Sequence, residues 1–169
     1  MKQGRKISIV SRMFAVLLAV MTVCSNISLP SKAAETVQTI AAWEYKEKDS
    51  APSSLPAGAT SGSGQLNVTG ATYTGYSSKS LAANNWEEEG YWTISEINAE
   101  KYENLTFSAS LRSSNTGAKN FQLEYSLDKG QSWTVVDGGA VEITSTNLTQ
   151  LYKDVKLPAE LSGQNFALR

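Results

Sequence analysis

With 169 residues, 41% of them hydrophobic and 18% charged, the chain can bury one modest core and has little material for a second domain. It has no histidine and one cysteine, Cys24, which removes Ser-His-Asp triads, histidine bases and nearly all zinc sites from consideration. The formal net charge of −1 becomes −6 once residues 1–33 are set aside, since they carry five basic and no acidic side chains and leave ten Lys and Arg against sixteen Asp and Glu; such a surface repels phosphate backbones, and direct nucleic-acid binding is not expected.

The chain opens with Lys2, Arg5, Lys6 and Arg12, followed by the apolar run "MFAVLLAVMTVC" and by "SKA", whose small residues suit the −3 and −1 positions of a cleavage site. Residues 1–33 are therefore predicted to be a secretory signal peptide helix. A retained membrane anchor would need about 18 unbroken apolar residues, more than this run supplies. A lipoprotein would need a small residue before Cys24, where Val23 stands. After cleavage the remaining module, residues 34–169, has no membrane segment and no cysteine. Export without disulfides suggests a bacterial, Gram-positive type of secreted protein. In that setting the sequons at Asn67, Asn104 and Asn147 carry no meaning.

Beyond the leader, period-two alternation recurs and helical periodicity does not. In "NLTFSASL", Leu105, Phe107, Ala109 and Leu111 share one face, as do Phe121, Leu123, Tyr125 and Leu127 in "FQLEYSL". Shorter runs, "TIAAWEY", "YWTISEI", "SWTVV", "AVEI", "LYKDVKL" and "NFALR", fit the same reading. Between them lie "SAPSSLPAGATSGSGQ", "TGYSSKS", "SSNTGAKN" and "LDKGQS", which read as turns and loops. The expectation is an all-β domain, an antiparallel β-sandwich of jelly-roll type. Residues 50–65 are expected to form a long loop inside it. "NFALR" reads as a strand that has only begun, which suggests that the chain is a fragment truncated in its last strand.

"YSLDKGQSW" contains the Asp-box spacing, with Ser126, Asp128, Gly130 and Trp133 at its key positions. Gly130 can take the positive φ of a hairpin turn, Asp128 can accept backbone N–H bonds, and Trp133 can cover the turn with its ring. The box is a hairpin staple that involves no substrate. A sialidase would need repeated boxes and an arginine cluster, yet residues 34–169 hold one box and only Arg112 and Arg169. Paired carboxylates remain in "WEEEGYW", where Glu87 and Glu89 could share a face of an extended segment; a solvated acidic loop is the plainer reading. Asp49, Asp128, Asp137 and Asp154 could supply oxygen ligands to a structural calcium ion, although no loop has a dedicated ligand spacing. Among the aromatics, Trp43 and Trp133 are expected in the core, whereas Tyr73, Tyr76 and Trp86 lie in or beside turns and are the candidate ligand-binding rings.

The order and spacing of "GYWTISEINAEKYENLTFSASLRSSNTGAKNFQLEYSLDKGQSWTVV" resemble a carbohydrate-binding-module-like β-sandwich carried by large secreted bacterial enzymes. Those enzymes have an endonuclease/exonuclease/phosphatase domain or a 5′-nucleotidase-type metallophosphoesterase domain. The resemblance spans residues 37–169 and departs at Ala118, where proline would follow the Gly. It implies an accessory module that binds polysaccharide or cell-surface glycan, or spaces an enzyme from the wall. It also implies the alternative, that these residues are the N-terminal piece of a secreted nuclease or phosphoesterase whose catalytic domain lies beyond Arg169. No catalytic residue is assigned within the chain itself.

Overall fold

Alternation at β-strand period puts every second side chain on one face, and strands of this kind are stable only when that face is covered. A computed structural model describes residues 37–45, 54, 55, 57–77 and 80–169, without the side chains of Tyr76 and Ser77. The predicted signal peptide and Asp49 lie outside the described residues. The strands run β1 (Ala41–Ala42), β2 (Ser61–Gly62), β3 (Gln65–Thr69), β4 (Thr72–Ser77), β5 (Ser80–Asn84) and β6 (Tyr91–Asn98). They continue with β7 (Thr106–Leu111), β8 (Asn120–Ser126), β9 (Thr134–Glu142), β10 (Thr149–Lys156) and β11 (Asn165–Leu168). All pairings are antiparallel: a five-stranded sheet in the order β3-β6-β11-β8-β9, and the ribbons β7–β10, β4–β5 and β1–β2.

The core joins the main sheet to one ribbon. Ile97 of β6, Leu123 and Tyr125 of β8, Val136 of β9 and Phe166 and Leu168 of β11 cluster with Tyr152 of β10, and Phe107 and Val155 of the ribbon pack against them. Leu161, in the 3-10 turn Ala159–Leu161, is fully buried in the same cluster. In β7 the predicted alternation holds at every position, with Phe107, Ala109 and Leu111 turned toward the core and Thr106, Ser108 and Ser110 exposed. Leu127, predicted to continue the buried face of β8, lies past its end and is 46% exposed.

Strands β6, β9 and β10 each contain a bulge that returns an apolar side chain to the core. In β6, Phe166 pairs with Ile97 and Leu168 with Ile94, so Glu96, at φ 57°, is the extra residue that lets both isoleucines face inward. In β10, Asp154, at φ 49°, does the same for Tyr152 and Val155. Ser108 holds this bulge, accepting the Asp154 N–H at 2.9 Å and donating to Asp154 Oδ1 at 3.1 Å. In β9, the "DGG" segment bulges against β8, with Gly138 at φ 70°. "SWTVV" and "AVEI", read as two strands, are thereby one. Val136 is buried as a result, while Val135 beside it is 56% exposed.

Residues 65–84 hold three strands where turns dominated the sequence reading. "TYTGYS" and "SLAAN" pair with each other, and the register shifts between Tyr73 and Gly75, so that Thr74 is the extra residue beside Gly75 at φ 104°. The described part of the expected 50–65 loop folds back on the domain: Thr60 N–H donates to Ala42 O at 2.8 Å and Leu66 N–H to Ala57 O at 2.6 Å. Of "TIAAWEY" only Ala41 and Ala42 are strand. Trp43 is half-buried and absent from the core, contrary to expectation; it covers Gly64, which has no Cβ to obstruct it, and donates its indole N–H to Ala57 O.

Replacing Leu161 by Ala opens a cavity and should lower unfolding stability by about 2–5 kcal/mol, against less than about 1.5 for Leu161→Met, measured by urea titration. Tyr152 donates its hydroxyl proton to Gly139 O at 3.0 Å, and burial pushes its pKa up to about 12 from the ordinary 10.0. Because the buried phenol resists ionisation, its contribution is complete below pH 10 and should be lost as pH rises toward 12. Tyr152→Phe should cost about 1–3 kcal/mol at neutral pH and flatten this alkaline loss in urea midpoints taken across pH 8–12.

Candidate functional site

The β8–β9 turn is built around the Ser126 hydroxyl, which is 2% exposed. Its oxygen accepts N–H bonds from Gly130 at 2.8 Å and Asp128 at 3.3 Å, and it donates to Asp128 Oδ1 at 2.7 Å. The Asp128 carboxylate then reaches forward, accepting the Ser132 N–H at 2.9 Å and the Ser132 hydroxyl at 2.6 Å. Bonds from Ser132 above all, and then from Ser126, hold the Asp128 carboxyl far below the ordinary carboxylate range. Lys129 and Gly130 both take left-handed conformations, at φ 61° and 86°. A Cβ on Gly130 would lie 3.3 Å from Trp133 Cζ2, so the turn packs closely against the indole.

Trp133 is half-buried and outside the core cluster, where it was expected; Arg169 lies over its ring instead. The guanidinium carbon of Arg169 sits 4.7 Å from the Trp133 centroid and 5.0 Å from that of Tyr91, within cation–π distance of both rings. Its Nε lies 2.5 Å from Glu124 Oε2, with the two side chains 28% and 21% exposed. Register explains the meeting. Arg169 follows core-facing Leu168, and Glu124 lies between core-facing Leu123 and Tyr125, so both point to the opposite face of the sheet. The backbones of Arg169 and Glu124 exchange both hydrogen bonds, at 2.8 and 2.9 Å. Nothing in the sequence spacing announces this group, because Tyr91, Glu124, Trp133 and Arg169 come from distant segments that meet only through the strand order β6-β11-β8-β9.

The predicted ligand-binding rings fall elsewhere. Trp86 is half-buried after β5, meets Trp92 edge-on at 5.9 Å between centroids and donates its indole N–H to Ala83 O at 3.2 Å. Tyr73 is half-buried in β4. Tyr76 pairs through its backbone with Leu81, and its side chain lies outside the described residues. Glu87, Glu88 and Glu89 are exposed on a tight turn closed by a Gly90 N–H bond to Glu87 O, so the extended geometry that would put Glu87 and Glu89 on one face is not adopted. Of the proposed calcium ligands, Asp128 and Asp154 are engaged by serines, and no group of three or more acidic, His or Cys residues suited to a metal occurs among the described residues.

The Asp128 network has a pH signature. A carboxyl whose folded pKa is depressed adds stability above its ordinary value of 3.8 and loses it as pH falls through and below that value. Asp128→Asn should lower the thermal midpoint at pH 7 and shrink the acid-induced drop between pH 5 and pH 2, measured by calorimetry. Comparisons with family models, curated proteins and solved structures find no match to this chain.

Proposed function

We propose that residues 34–169 form a noncatalytic binding module of a secreted bacterial protein, taking polysaccharide or cell-surface glycan as partner and targeting or spacing an extracellular enzyme. The architecture we assign is a jelly-roll β-sandwich, supported by the core cluster shared between the five-stranded sheet and the β7–β10 ribbon. Export through the leader at residues 1–33 is part of the same reading. The observation that carries it is the set of half-exposed aromatic and polar side chains fixed on the outer face of the main sheet before any ligand arrives. Sites that bind sugars combine apolar ring surface with a few placed hydrogen-bonding groups, and fixing them in advance lowers the cost of binding. Catalysis finds little support: the chain has no histidine, and its acidic side chains in "WEEEG" are spread over an exposed turn.

The test is a glycan array probed with the purified chain, together with hydrolysis assays on DNA, nucleotides and phosphoesters. Saturable binding to one or more glycans and no turnover above background is the expected outcome. Turnover that survives repurification, or a folded sample that binds nothing on the array, would overturn the proposal.

A further inference from the structure

The Arg169–Glu124 pair offers more than an internal contact. Only Nε of the guanidinium has a polar partner among the described residues, leaving the four N–H donors of its two terminal nitrogens uncommitted. Glu124 uses Oε2 for this contact, and Oε1 has no partner among the described residues. Fixed donors and a fixed acceptor therefore stand side by side, both partly exposed, and the rings of Tyr91 and Trp133 lie 5.0 and 4.7 Å from the guanidinium carbon. Gln122 lies on the Glu124 face of β8 and Thr93 on the Tyr91 face of β6, adding polar groups around the pair.

From this geometry we infer that the outer face of the β6-β11-β8 sheet is a subsite for a neutral glycan, binding a vicinal diol between the Arg169 guanidinium and the Glu124 carboxylate. The inference rests on the glycan-binding reading above and specifies its site and its class of sugar. Adjacent hydroxyls each donate one hydrogen bond and accept others, so a donor and an acceptor placed together match them as neither charge alone would. The pair cancels its own charge, which removes the local attraction that a uronate or phosphate would need. The net charge of −6 over residues 34–169 opposes polyanions further. Trp133 is already in contact with both Arg169 and the Gly130 turn, so this ring positions the guanidinium and does not itself stack on sugar.

The experiment titrates the full chain with soluble neutral polysaccharides (a xylan, a β-glucan and a mannan) and with polygalacturonate, following tryptophan fluorescence and calorimetry. Glu124→Gln and Arg169→Lys should each weaken neutral-glycan binding by about tenfold or more, the range for losing hydrogen bonds to charged groups. Lys153→Gln, at an exposed position of β10, should leave binding unchanged. Should Arg169→Lys unfold, a second readout needs no variant: the bound neutral glycan should protect Arg169, and not Arg112, from phenylglyoxal in peptide mapping. Neutral-glycan binding that survives Glu124→Gln and gives no protection of Arg169 would overturn this site while leaving the glycan-binding function standing. Binding confined to polygalacturonate and abolished by salt would overturn the neutral class. A folded chain that binds no glycan would overturn both this site and the function on which it rests.

Discussion

The insertion of β11 between β6 and β8 is the constraint on which the rest of the structure depends. A strand of four residues supplies Phe166 and Leu168 to the core, and its buried Ala167 occupies the opposite side of the same sheet. Without it, β6 and β8 would have no hydrogen-bonded partner between them, and the five-stranded sheet would fall into two hairpin-like pairs, β3–β6 and β8–β9. Both flanking strands come from much earlier in the chain, so these contacts are long-range and carry the loop-closure cost that slows the folding of all-β topologies. The backbone exchange between Arg169 and Glu124 extends the pairing one residue past β11, at the point where the chain reaches the outer face.

The bulges set how much core this frame can hold. A regular strand gives the core every second residue, but the packing draws in Ile94 with Ile97 and Tyr152 with Val155, pairs spaced by three. Glu96 and Asp154 make this possible by taking positive φ, a conformation that costs a non-glycine residue about 1–2 kcal/mol. Returning a whole apolar side chain to the interior contributes about 1.5–3 kcal/mol, enough to offset that cost. The two bulges differ in their surroundings: Ser108 bonds Asp154 twice, whereas Glu96 lies between the Ile94–Leu168 and Ile97–Phe166 pairings with β11.

The same physics separates what could be read in the sequence from what could not. Strands β7 and β8 were legible because one buried face and one wet face leave a period of two, and the Asp-box was legible because its turn uses residues within eight positions of one another. Strands β4 and β5 were not, since Gly, Ser and Asn in "TYTGYSSKSLAAN" carry turn propensity that pairing overrides. The bulge in "SWTVVDGGAVEI" looked like a break between strands because two glycines mark turns as readily as bulges. Trp43 and Trp133 are expected in the core because they stand in apolar runs, yet each lies against a glycine-bearing segment outside the core cluster. The Tyr91, Glu124, Trp133 and Arg169 group had no local signature, because strand order created it.

That group also changes the meaning of the Asp-box. Read locally, the motif staples a hairpin: Ser126 and Asp128 satisfy the turn's amides and Trp133 closes over it. In three dimensions the Gly130 turn packs beside the indole, and the indole and the Tyr91 ring both lie within cation–π distance of the Arg169 guanidinium. A long arginine side chain loses about 2 kcal/mol of rotamer freedom when it is held in place. Here folding has already met that cost, through ring contacts and the Glu124 bond, before any partner arrives. The turn thus contributes to the outer face without touching it, and a change at Ser126 or Asp128 reaches Arg169 through the orientation of Trp133.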